Sequence, residues 1–160
     1  MSPFRLFNAK NFSKWQIEAL GNHLLRDEDK RELKSLENAT PGQTLVKAVF
    51  NEKGRSWVAY AEKTRRPVAV FGYEWSPVLK GRIIWMVGTY HLYDFKEDFL
   101  RISKIILDHW LDKAEVLHNY IDLRNITHIQ WLEMLGFTLP AGMTCTMHDG
   151  VPFQYFIKEK

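Results

Sequence analysis

Tyr120-Ile121-Asp122-Leu123-Arg124-Asn125-Ile126-Thr127-His128-Ile129-Gln130-Trp131-Leu132-Glu133-Met134-Leu135-Gly136-Phe137 reads as a strand, a capped short helix and a glycine stop. Asn125 suits the N-cap, because its short side chain can accept the unpaired amide hydrogens of a first helical turn. Ile126, Ile129, Leu132 and Leu135 recur at helical spacing and predict the buried stripe. Gly136 fits the left-handed position that closes a helix, and Phe137 begins the next extended segment.

Working outward, Glu115 to Asp122 reads as the strand that feeds this helix. The preceding Phe99, Ile102, Ile105, Ile106, His109 and Trp110 predict an amphipathic helix of four or five turns. Trp57 to Ala61, Val68 to Tyr73 and Arg82 to Gly88 are short apolar runs separated by turn residues, the pattern of three successive antiparallel strands. Lys63-Thr64-Arg65-Arg66, just before Pro67, reads as a solvated turn between the first two.

At the N-terminal end, Pro3 to Phe7 is extended. Phe12, Trp15, Ile17, Leu20, Leu24 and Leu25 have a rough helical period. Asp27-Glu28-Asp29 puts acids in the first turn of a second helix, where they complement its dipole. Thr40-Pro41-Gly42 breaks the pattern, and Thr44 to Phe50 can form a further helix. After the quoted stretch, Thr138 to Lys160 reads as a hairpin turning at His148-Asp149-Gly150, with Phe153, Tyr155 and Ile157 alternating.

At 160 residues, 46% apolar and 14% aromatic, the chain can fill one sizeable core, which implies a single domain over residues 1–160. Six Trp and ten Phe imply a bulky core, with Trp75 and Trp110 as candidates for an exposed contact surface. A net charge of +3, spread along the chain, does not indicate nucleic acid. Cys145 is the lone cysteine, so no intrachain disulfide forms and a reducing compartment fits. Residues 1–20 lack a signal-type apolar run, so signal-peptide export is not expected; no run is long enough to span a bilayer. The six His show no zinc-site spacing, and no metal is expected.

The order strand, Asn, one short helix, Leu-Gly-Phe resembles the C-terminal half of the GNAT superfamily, the acyl-coenzyme-A-dependent N-acyltransferases. The remaining elements follow the same order. The resemblance implies an α+β fold, α/β/α-like in its layers, with a mixed, mostly antiparallel central sheet and helices on both faces. Arg26 to Leu33, Arg66 to Gly72, Ile84 to Thr89 and the Asn125 to Phe137 block look closer still to a phage branch, related to the podovirus internal virion protein A family.

The resemblance also implies where coenzyme A would lie: along Val87, Gly88 and Thr89 of the fourth strand and beside Asn125. The stretch Gly88 to Asp98 has no glycine after Gly88 where the family carries a glycine-rich diphosphate loop, and Asp94, Glu97 and Asp98 would repel a diphosphate. Leu132 stands where the family places a proton-donating Tyr. The first expectation is therefore a fold whose acetyl-CoA site has degenerated, with no cofactor. It would bind a protein partner in the virion or the host and reside in the virion or host cytoplasm. The alternative is an active acetyl-CoA-dependent N-acetyltransferase with a divergent diphosphate loop, for which Glu74, Tyr90 and His91 are the candidate catalytic residues. The sequence does not indicate oligomeric state.

Overall fold

The computed structural model describes residues 2–160. Its seven strands are β1 (Phe4–Asn8), β2 (Gly54–Ala61), β3 (Pro67–Trp75), β4 (Gly81–Gly88), β5 (Val116–Asp122), β6 (Thr144–Thr146) and β7 (Pro152–Glu159). They form one sheet in the order β1-β2-β3-β4-β5-β7-β6. Every neighbouring pair is antiparallel except β4 with β5. The parallel pair requires a crossover, supplied by α4 (Lys96–Asp112).

Alternation along the strands divides the apolar residues between two faces. Val58, Val70 and Val87 pack against α1 (Lys14–His23), α2 (Asp27–Leu36) and α3 (Pro41–Val49) through Ile17, Leu20, Leu33, Leu45 and Val49. Their neighbours Phe71, Tyr73 and Ile84 pack with Phe99, Leu107 and Trp110 of α4 and with Trp131 and Leu132 of α5 (Ile126–Met134). This is the mixed, mostly antiparallel sheet with helices on both faces. The Lys63 to Arg66 turn and the His148-Asp149-Gly150 turn lie between the strands they were expected to join.

Three expectations need correction. Thr40-Pro41-Gly42 does not interrupt a helix but starts α3: the Thr40 hydroxyl accepts from Gln43 N, Gln43 reaches back to the Thr40 amide, and Pro41 occupies the first helical position. Trp110 is not a surface residue; it is buried among Trp57, Phe71 and Tyr73, whereas Trp75 is exposed. On α5 the buried face is His128, Trp131 and Leu132, with Ile126 left in solvent. Two stripes at helical spacing run along that helix, and Trp131 stacking on Phe99 selects the second.

Candidate functional site

The parallel pairing of β4 with β5 lasts for only three residue pairs, Gly81 with Val116 through Ile83 with His118. Beyond Ile83 the strands part. Asn119 bridges the first opening by donating from Nδ2 to the Ile84 carbonyl at 2.8 Å. The gap that follows is a slot of about 440 Å³, lined from both faces of the sheet. On the α4 and α5 side its wall is apolar, with Phe99, Leu107, Trp110, Trp131 and Leu132. On the α1 to α3 side it meets Glu32, Glu74 and Asn51.

The edge of β4 that faces the slot is marked by the Ile84 carbonyl and the Gly88 amide, two positions of the same parity. Met86 lies between them and lines the slot. The wide end is bridged by a buried polar cluster. Asp29, fully buried on α2, accepts from Gly88 N at 2.9 Å, from Arg26 Nε at 2.7 Å and from Asn125 Nδ2 at 3.3 Å. One carboxylate thus links the end of β4 to the cap of α5. Arg26 also donates its backbone amide to the Gly88 carbonyl, while its Nη2 has no partner among the described residues.

Two further ionisable groups complete the cluster. Glu32, one turn along α2, accepts from the Asp122 amide at 2.9 Å. Burial first, and then the neighbouring Asp29, pushes its carboxyl up to about 8, so it holds a proton at neutral pH. Burial pulls the His128 imidazole down to about 4, although Asp29 at 3.7 Å opposes this, so His128 is neutral. For Arg26, burial works against the charge, but Asp29 outweighs it and the guanidinium is held above its ordinary value. Asp29, Glu32 and His128 have ligand atoms within 4.8 Å of one another, close enough to share a cation. The Arg26 charge already balances Asp29, so no ion is needed to neutralise the cluster.

The turn after β4 is a 3-10 helix, Tyr90–Phe95, capped by Thr89, whose hydroxyl accepts from His91 N. It is pinned to α2. Tyr90 Oη donates to Asp27 at 2.9 Å, Tyr93 Oη donates to Glu28 at 3.0 Å, and Tyr90 N donates to Leu24 O. At the start of α4, Glu97 and Asp98 occupy the first turn, with Asp98 paired to Arg101.

The structure distributes the sequence candidates unevenly. Glu74 lines the slot on the α3 side, its Oε2 accepting from Asn51 Nδ2. Val87 lines it too. Gly88 and Asn125 meet through Asp29 at the wide end. Thr89 is turned away, donating its amide to Val68 O and its hydroxyl to Pro67 O. Tyr90 is exposed on α2, and neither it nor His91 lines the slot. Sequence reasoning reads Asp29 with Asp27 and Glu28 as an ordinary first-turn acid and gives Arg26 and Glu32 no part in the site. The signal was their spacing, which puts 29 and 32 on the same helical face as buried Leu33.

Val87 and Met86 line the slot, and just past them the Gly88 amide is held by the Asp29 carboxylate. The 3-10 turn has no glycine, and the cations beside it include Lys96, over the Tyr93 ring, and Lys30, over the Tyr90 ring.

Neither a protein-family model nor a curated protein sequence matches this chain. Solved structures do. Spermidine N-acetyltransferase from Vibrio cholerae, in complex with CoA and spermine, superposes over 98% of this chain and 95% of its own, with a TM-score of 0.72 at 10% identity. Aminoglycoside acetyltransferase AAC(6')-Ib, in complex with coenzyme A, covers the same shares with a TM-score of 0.67 at 14% identity. At these identities the likeness is one of fold: the chain has the mixed sheet and helical layers of the GNAT acetyltransferases. The finer resemblance to a phage branch has no counterpart among these neighbours. Among the described residues, no helix is long and apolar enough to cross a membrane.

Proposed function

We propose that this chain is an acetyl-CoA-dependent N-acyltransferase that works in the slot between β4 and β5. The observation that carries the reading is the parting of the two strands after Ile83, which opens a cavity lined by carboxylates on one face of the sheet and by apolar side chains on the other. Two acetyltransferases that share the fold, both in complexes with coenzyme A, support it.

Acetyl-CoA, when bound, would supply the acyl group as a thioester, its acyl–sulfur bond breaking as coenzyme A leaves as the thiol. The residues of this chain prepare the other reactant. An amine entering from the α3 side meets Glu74, which Asn51 orients and which accepts the proton that a cationic amine must lose before its nitrogen can attack. Trp110, Trp131 and Leu132 exclude water from the opposite wall. No side-chain hydroxyl stands at Leu132, so the reading assigns no proton donor on α5 at that position.

The test is a thermal melt with acetyl-CoA followed by a thiol-release assay over a panel of primary amines. A ligand that binds only the folded state raises Tm, and Gly88→Trp should abolish the rise. A Cβ on Gly88 would lie 2.5 Å from Leu92 Cδ2 and 3.0 Å from Arg26 Nε, both buried, so a large side chain there must push them aside, and the melt of the unliganded variant checks that it still folds. No rise in Tm at millimolar acetyl-CoA, for the wild type and for a variant in which Asp29 is removed, defeats the reading.

One observation favours a second reading, in which the fold is retained as a binding body with a degenerate acetyl-CoA site: the Gly88 amide and Asn125 are already satisfied by Asp29. Such a protein would act through a protein partner, in the virion or in the host cell. Mass spectrometry of purified virions and a pull-down from infected cells test it; absence from both removes it.

A further inference from the structure

We infer that the first turn of α2 is an internal occupant of the slot's wide end: the Asp29 carboxylate sits on the Gly88 amide in place of an external acceptor group, and a ligand reaches that edge only when the turn withdraws. The inference rests on the acyltransferase reading for the identity of the ligand, but its geometry stands independently.

Gly88 continues the strand edge just past Val87, the last β4 residue to line the slot, and an unpaired edge amide there is free to bind whatever acceptor reaches it. Here that donor is taken by a carboxylate from another element, and the same carboxylate spans the gap to Asn125 on the far side. Bonding this turn across two parted strands closes the wide end. Its surroundings hold it there. Arg26, at the N-cap of α2, is tied to the Gly88 carbonyl through its amide and to Asp29 through its guanidinium. Tyr90 and Tyr93, from the turn after β4, grip Asp27 and Glu28 from outside. The three consecutive acids of the turn therefore each bind β4 or the segment that follows it.

The arrangement is also reversible in principle. The outer contacts are two exposed tyrosine hydroxyls on carboxylates, which solvent can replace at little cost. Arg26 Nη2 has no acceptor among the described residues although its side chain is only 1% exposed, so the closed state is imperfectly satisfied. A ligand that competes for Gly88 must displace Asp29, and its apparent affinity is reduced by the fraction of molecules in which the turn is in place.

Acetyl-CoA binding by isothermal titration, on the whole chain, tests this. Asp29→Ala frees the Gly88 amide, and Tyr90→Phe with Tyr93→Phe loosens the turn from outside without touching the buried cluster. The inference expects Asp29→Ala to lower Kd by roughly tenfold or more and the double tyrosine variant to lower it by a few-fold. If Asp29→Ala does not fold, the tyrosine variant carries the test, because both of its sites are at the surface. Equal Kd for wild type and tyrosine variant, with binding measurable in both, overturns the internal-occupant inference and leaves the acyltransferase reading intact. Binding absent from wild type and present in a variant supports the inference. Binding absent from every folded variant overturns both.

Discussion

Glu32 and His128 share one buried cluster and are displaced in opposite directions, which gives the protein a defined pH response. Glu32 moves from an ordinary 4.5 up to about 8 in the folded state. The folded form therefore binds its proton more tightly than the unfolded chain. The associated stability is fully present below pH 4.5 and is lost as pH rises to about 8. His128 moves from 6.5 down to about 4, so its contribution is present above pH 6.5 and is lost as pH falls to about 4. Between 4.5 and 6.5 the two slopes oppose each other. Urea unfolding across pH should show stability declining from pH 6.5 to 8, and Glu32→Gln should flatten that decline while leaving the acid limb. An unchanged alkaline slope in the variant would contradict the assignment to Glu32. The groups facing Glu32 are Asp29 and Arg26 at the start of its own helix, His128 on α5 and Asp122 at the end of β5, with Arg124 fixed on Asp122 by three side-chain hydrogen bonds.

This residue-scale chemistry was only partly legible in the sequence. Asn125 and Gly136 could be read because each answers a local need of its own helix: Asn125 accepts from His128 N, and Gly136 has φ +88. Asp29 could not, because an acid in a first turn already has a sufficient local explanation, nor could Glu32, which one turn on reads as any solvated helical acid. Their partners Gly88 and Asp122 lie 59 and 90 residues away.

At the scale of elements, the caps make separable contributions. Ser13 starts α1 at the surface with a reciprocal capping box, and Ser13→Ala should cost about 1 kcal/mol in urea unfolding. Asn125→Ala removes a buried cap and also one donor to Asp29, so its cost should be larger, about 2–3 kcal/mol. Equal losses would mean that the Asn125 amide adds nothing to the cluster. At the other end of α5, a Cβ on Gly136 has room, its nearest neighbour being Lys158 Nζ at 3.4 Å. Gly136→Ala should therefore lose about 1 kcal/mol from backbone strain alone, and Gly136→Asn less, since Asn tolerates the left-handed region better. Element types were legible from period and punctuation. The buried side of α5 was not, because Ile126 is apolar and correctly spaced, and only the position of Phe99 decides against it.

For the whole molecule, one sheet separates two apolar layers, and adjacent residues of β3 belong to different layers. Val70 packs towards α1 to α3 and Phe71 towards α4 and α5. Phe71→Ala should cost about 3–5 kcal/mol, as it opens a cavity among Trp57, Phe99 and Trp110. Val70→Ala should cost less because it removes fewer atoms, yet both should shift far-UV and near-UV transitions together, since either layer alone leaves one face of the sheet bare. A variant whose two transitions separate would show that the layers unfold independently. The order of the first five strands follows chain order, and its middle three were accessible from the sequence as successive antiparallel strands. The insertion of β7 between β5 and β6 was not, because hairpin spacing fixes the partners of a pair but not which of them faces the sheet.

The far end of α2 has its own anchorage. Arg124, clamped on Asp122 after β5, donates to Ser35 Oγ, and Ser35 in turn donates to Asp149 at the tip of the β6–β7 hairpin. His148, beside it, meets the carbonyl of Lys34. The last turn of α2 is therefore fastened to the C-terminal hairpin, and its first turn to the segment following β4. Held at both ends, α2 is a tie about three turns long that couples the C-terminal hairpin to the end of β4, so a substitution at Ser35 bears on the same helix that carries Asp29.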